Sequence, residues 1–156
     1  MTYDPASSSI IGTYLIDTLP APTASMIGKY ARVTDLFGEK TDLLLCSNLG
    51  TKYYWQPVRP TYAKAVVVTT ATPNIPLTPL KSPSVLYITG TLGAGRSMML
   101  SDINAWPGAS FEIAMDATLL GTLNIVGTGL GSGVGVLLGS RKRLFYTAEG
   151  KWQQFT

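Results

Sequence analysis

Along the C-terminal half of the chain, apolar residues recur at every second position in short runs. Met98 and Leu100 alternate with Met99 and Ser101, and beyond Trp106-Pro107-Gly108 the residues Ala109, Phe111 and Ile113 fall on one side, with Ser110 and Glu112 on the other. A period of two is the mark of a half-buried strand. Trp-Pro-Gly reads as the turn joining two such strands into a hairpin. The flanking runs at 85–89, 119–126 and 143–147 repeat the pattern, and 151–155 returns past Gly150 as a closing hairpin. About six short strands separated by glycine turns predict a small β-sandwich or barrel over residues 85–156.

Upstream the same period builds a smaller unit over 25–60. Residues 29–34 alternate, a turn follows at 35–39 around Gly38, and 42–47 forms a second strand. A turn at 48–50 then leads into a return strand that closes at Pro57. Residues 61–84 carry Pro73, Pro76, Pro79 and Pro83 around Ala65-Val66-Val67-Val68, which predicts one strand inside a stiff, extended linker. Residues 1–24 are polar and marked by Pro5, Pro20 and Pro22, with one apolar island containing Ile10, Ile11, Tyr14, Leu15 and Ile16. Alone, such an arm has too little to bury and stays poorly ordered. The island must lie on the chain's own core or on a neighbouring subunit. The expectation is thus all-β: small sandwich or barrel modules joined by a Pro-rich linker, with an extended N-terminal arm. Gly127, Gly129, Gly131, Gly133 and Gly135 exclude a regular helix there, but leave loop and strand open.

Composition agrees with this pattern. Of 156 residues, 46% are hydrophobic and only 13% charged, which argues against disorder, and 16 Gly with 10 Pro argue against a helical bundle. The net charge of +3 comes from interspersed residues, with one cluster at Arg141-Lys142-Arg143. Nucleic-acid binding calls for a broader basic patch, so this cluster reads as a solvated or subunit-facing turn. The single cysteine, Cys46, cannot form an intrachain disulfide and reads as a small buried hydrophobe. The N-terminal residues lack a basic, apolar leader, and no run approaches the ~20 apolar residues of a membrane span. A soluble protein synthesised in a reducing cytoplasm is expected, with no membrane partner.

Candidate chemistry is sparse. Without histidine there is no Ser-His-Asp or Cys-His nucleophile and no ordinary zinc site. Gly90-Thr91-Leu92-Gly93-Ala94-Gly95-Arg96-Ser97 matches the spacing of a phosphate-binding loop, with Arg96 in place of the lysine. Such a loop needs a compact ammonium and a helix N-terminus behind it. The residues that follow run instead into Pro107, so a glycine turn is expected. Asp102, Glu112 and Asp116 are close in sequence, but Glu112 lies on the outward face of its strand and the aspartates look like turn residues. Tyr53, Tyr54, Trp55, Trp106 and Trp152 read first as packing, and second as a surface for the apolar faces of sugar rings. No enzymatic activity, cofactor or metal is expected.

The series Gly28-Lys29-Tyr30-Ala31-Arg32-Val33-Thr34-Asp35, then Ser47-Asn48-Leu49-Gly50 and Tyr54-Trp55-Gln56-Pro57-Val58, resembles a hairpin segment of tailed-bacteriophage virion proteins. Residues 95–100, 105–113 and 146–152 are similar to the compact β-modules of capsid decoration proteins and tail fibres. The resemblance implies a homotrimeric, non-enzymatic virion structural protein. Its expected role is a decoration or cement protein on the capsid surface, bound to the major capsid protein of the head shell. The alternative is a receptor- or glycan-binding module of a tail fibre or baseplate. On the decoration reading, Ile10, Ile11, Tyr14, Leu15 and Ile16 are the candidate partner-binding residues.

Overall fold

A computed structural model describes residues 9–155. Residues 1–8 of the arm and Thr156 lie outside them. Apart from two three-residue 3-10 helices, the regular structure of the described residues is all strand. Its first sheet has the order β1 (Ile10–Tyr14), β2 (Tyr30–Leu36), β3 (Lys40–Leu49) and β4 (Lys52–Pro57). Strands β2 to β4 form the antiparallel meander that alternation predicts, with Ala31, Val33, Leu36, Leu44, Cys46 and Trp55 buried on its inner face. The arm adds β1 in parallel to β2. A one-turn 3-10 helix, Ile16–Thr18, then lowers Ile16 into the core at 4% exposure. Of the two surfaces open to the apolar island, the chain's own core takes Ile16.

The remaining strands do not make a sandwich or barrel. β5 (Ala63–Val68), β7 (Val85–Leu92) and β9 (Ser110–Met115) lie side by side in parallel, and β10 (Thr118–Leu119) continues the line of β9 along β7. A second parallel sheet runs β6 (Ile75–Leu77), β8 (Arg96–Leu100) and β11 (Leu123–Val126). The chain therefore alternates between two sheets and stacks three rungs, in the manner of a β-solenoid. Ala63 sits beside Val85 and Val85 beside Glu112, while Ile75 sits beside Met98 and Met98 beside Ile125. The alternating apolar positions become vertical rows: Val66, Ile88 and Met115 on one sheet, Ile75, Met98 and Ile125 on the other. In each row the first-rung residue is half-buried and the other two are buried, because the first rung has a neighbour on one side only.

Three sequence expectations change as a result. The runs on either side of Trp106-Pro107-Gly108 are strands, β8 and β9, but they belong to different sheets and form no hairpin. Trp106 is buried and Gly108 donates its N–H to the Tyr146 carbonyl, so this connection crosses the end of the rung. The stretch 61–84 is part of the solenoid: besides the expected strand β5 it supplies β6, and together these make the first rung. Pro76 fits within β6 because that strand pairs on one side only. Third, Arg141 to Arg143 is not a turn but the start of β13 (Arg141–Tyr146). Loop and strand divide the glycine-rich stretch, with β12 (Val134–Val136) antiparallel to β11 following a loop in which Gly129, Gly131 and Gly133 have positive φ.

The growing end is closed by reversing direction. β13 pairs antiparallel with β9, and β14 (Trp152–Phe155) pairs antiparallel with β13 in the expected closing hairpin. Trp152, with no exposed surface, packs against Phe111 and Tyr146 at ring-centroid distances of 5.6 and 5.2 Å. The meander meets the first rung through its β2–β3 turn. Phe37 donates its N–H to the Leu80 carbonyl and stacks on Tyr62 at 5.8 Å, while Glu39 accepts from Tyr62 and from Lys64. Lys81 pairs with Asp17. One apolar core thus runs through the meander and the solenoid.

Stacked rungs bring the corners of the chain together as well as its strands. A Cβ at Gly93 would lie 2.4 Å from the Thr70 carbonyl oxygen, a backbone atom that cannot swing aside. Gly93→Ala should therefore cost about 1–3 kcal/mol by overpacking, read as a lower midpoint of denaturant unfolding. Gly135→Ala, which would approach nothing nearer than 3.9 Å, is the control and should leave the midpoint unchanged. Equal midpoints for the two variants would contradict the stacking at this corner.

Candidate functional site

Where the antiparallel meander and the parallel solenoid meet, their sheets cannot join, and a groove remains. One wall is β4, which among the described residues pairs only with β3 and so turns its other edge outward. Lys52, Tyr53 and Tyr54 lie at that edge, and Trp55 is held at its end by an indole N–H donated to the Pro20 carbonyl at 2.8 Å. The opposite wall comes from the β8–β9 connection and the β13–β14 turn. Two adjoining hollows of about 210 and 330 Å³ fill the space between the walls, sharing Tyr53, Tyr54 and Ala105. Leu80 and Pro22 line the first, and Pro107, Tyr146, Thr147 and Gly150 the second.

Asp102 fixes the far wall. Its carboxylate accepts from the Trp152 indole N–H at 3.1 Å and from the Thr128 hydroxyl at 2.6 Å, and its carbonyl accepts from the Ala105 N–H. Asn104 between them has φ 59°, a left-handed conformation that asparagine tolerates better than most residues, and its side chain is exposed at the groove. Tyr146 donates its N–H to the Ala109 carbonyl, and burial pushes its hydroxyl pKa up, with the Asp102 charge adding to the shift. At pH 7 the phenol is neutral and can both donate and accept. The groove therefore offers aromatic faces on both walls, an amide, an ammonium and an apolar floor.

A third hollow, of about 420 Å³, lies beside the β2–β3 turn. Its charges are already engaged. Arg59 pairs with Asp42 at 2.9 Å and Lys64 with Glu39 at 2.8 Å, and the Lys40 ammonium sits 3.9 Å from the centre of the Tyr62 ring. The hydrogen bonds from Lys64 and Tyr62 hold the Glu39 carboxyl below its ordinary pKa.

The other candidates separate in space. Arg96 lies in the corner between β7 and β8, where its Nε donates to the Thr72 carbonyl at 2.8 Å, and a strand rather than a helix follows it. Glu112 projects from the outer face of β9 and meets Arg141 at 3.3 Å, while Asp102 is occupied at the opposite end of the rung. Trp55, Trp106 and Trp152 are buried and serve packing. Cys46 is buried as expected, and desolvation raises its thiol pKa. Among the described residues no group of three or more His, Cys, Asp or Glu is placed to hold a metal. In the arm, Ile10, Ile11 and Tyr14 are half-buried, Leu15 is 51% exposed and Ile16 is in the core. Tyr53 and Tyr54 were legible as aromatics. The contributions of Lys52, Asn104 and Tyr146 were not, because these residues meet only through the fold.

No family model matches the chain, and no curated protein matches it. Among solved structures, the chain is similar to one in a chaperone–substrate complex, at 17% identity and a TM-score of 0.41. That likeness covers 94% of this chain and 32% of the other.

Asp102→Ala leaves the fully buried Trp152 indole N–H without its acceptor. The variant should lose about 1–3 kcal/mol of stability, measured by denaturant unfolding. An unchanged midpoint would mean that Asp102 does not hold this wall.

Proposed function

We propose that the chain is a non-enzymatic structural protein of a tailed-bacteriophage virion, a decoration protein that binds the head shell as a homotrimer. The class comes from the resemblance of the 28–58 hairpin. The observation that carries an assembly role is the outer face of the first two rungs. Ala63, Ala65 and Val67 of β5 and Tyr87 of β7 are exposed side by side, with half-exposed Val85 next to them. Val67 alone is 76% exposed. Strand β5 is also an edge: it pairs with β7 and, among the described residues, with no other strand. Edges left this apolar invite pairing, and chains that stay single guard them with charge, proline or a bulge. Lys64 is the one charge on β5, and it is tied to Glu39. Leu15, exposed beyond β1, is the arm residue best placed to contact a partner as well.

The alternative, a receptor-binding module of a tail fibre or baseplate, draws its support from the aromatic groove. Attachment separates the two readings. Emptied heads mixed with the protein and sedimented should carry it down. Val67→Glu, which places a charge on the exposed edge strand, should remain folded by circular dichroism, scatter light as a smaller species and stay in the supernatant. A variant that sediments with heads as well as the parent does would remove this face from the account. Failure of both proteins to sediment would favour the tail reading.

A further inference from the structure

We infer that the groove between β4 and the solenoid end is a saccharide-binding site. It takes a short oligosaccharide of two or three rings whose sugars carry a methyl-bearing substituent, acetamido or 6-deoxy. This inference holds for either location in the virion.

The argument rests on shape and on what lines the two hollows. At about 210 and 330 Å³ they adjoin at Tyr53, Tyr54 and Ala105, and together fall within the size range of small-molecule sites. The groove is open along its length, which suits a chain of rings better than a compact ligand. Tyr53 and Tyr54 stand on one wall and Tyr146 on the other. All three are half-buried, and Tyr54 and Tyr146 pack against the core while part of each ring still faces solvent. A pyranose has an apolar face of axial C–H bonds and a rim of hydroxyls, and it matches a side chain with an apolar body and a polar tip.

The polar groups sit where a sugar rim would need them. Asn104 offers both a donor and an acceptor from a position fixed by its left-handed backbone, and Lys52 offers an ammonium at the other hollow. Neither side chain has another partner in the hydrogen bonds or ion pairs of the described structure, unlike the lysines and arginines of the hollow near Tyr62. The floor decides the substituent. In the first hollow it consists of Leu80 and Pro22, which are apolar and offer no side-chain donor. A bare hydroxyl pressed into that floor would lose its water without replacement, whereas a methyl group gains from burial there. Among the described residues no carboxylate lines either hollow, so the inferred activity is binding without hydrolysis.

The test is calorimetric titration of the intact protein with three soluble probes: N,N′,N″-triacetylchitotriose, a trirhamnoside and cellotriose. At least one of the first two should bind and cellotriose should bind at least tenfold more weakly. Tyr54→Ala should weaken the binding roughly tenfold, as expected for losing one stacked ring. Because that change could disturb β4, Asn104→Gly serves as a second variant: glycine accepts the same positive φ, so the amide is lost without backbone strain. It too should weaken binding at an unchanged unfolding midpoint, and Tyr87→Ala, on the outer face of the solenoid, should not. No heat with either substituted probe, equal binding of cellotriose, or binding that survives both groove variants would each overturn the proposal. These titrations use no virion component, so their failure is distinct from failure of head attachment.

Discussion

The hydrogen-bonded stacking of one rung directly on the next is the constraint from which the rest of the molecule follows. Parallel neighbours lie about 4.8 Å apart, and the chain must return to the same place after each circuit. Side chains on one face are thereby forced into vertical rows, and the corners are brought as close as the strands. Gly93 against the Thr70 carbonyl, and Gly121 against the Ala94 Cβ at 2.6 Å from where its own Cβ would stand, show that at these two corner positions there is no room for a side chain. Arg96 adds a direct tie between successive corners by bonding the Thr72 carbonyl. Of the glycines that imitate a phosphate-binding loop, Gly90 and Gly93 are thus explained by stacking and Gly95 by its positive φ.

A stack of this kind has two ends, and the chain treats them differently. At the third rung the antiparallel strands β12, β13 and β14 take up the free edges, and Trp152 seals the core beneath them. At the first rung the meander docks through Phe37, Glu39 and their neighbours, and among the described residues the outer edge of β5 stays unpaired. Both proposed functional surfaces come from this asymmetry. The apolar edge and face belong to the rung that has no neighbour below it. The aromatic groove exists because an antiparallel meander and a parallel stack abut without sharing a strand.

Strands were legible wherever one face is buried. Alternation located the meander strands, the buried trio Ala109, Phe111 and Ile113, and the closing hairpin. Pairing was not legible, since alternation reports which face is buried and not which strand lies alongside. Trp106-Pro107-Gly108 has the composition of a hairpin turn, yet it carries the chain from one sheet to the other. The repeat escaped notice because its circuit changes length, from the 22 residues between Ala63 and Val85 to the 27 between Val85 and Glu112. The prolines of 61–84 suggested a spacer, but an edge rung accommodates Pro76 where a central strand could not. The groove residues were hidden for a related reason: Lys52, Asn104 and Tyr146 come from β4, the β8–β9 connection and β13 and have no common motif.

The central claim is that residues 61–84 are a rung of one cooperative solenoid. Amide hydrogen exchange of the native protein addresses this most directly. If β5 and β6 stack on β7 and β8, the bonded amides of 63–68 and 75–77 will exchange slowly, in the same cooperative unit as those of 85–92 and 96–100. Exchange through 61–84 at the rate of an unstructured linker, beside strong protection from residue 85 onward, would contradict it.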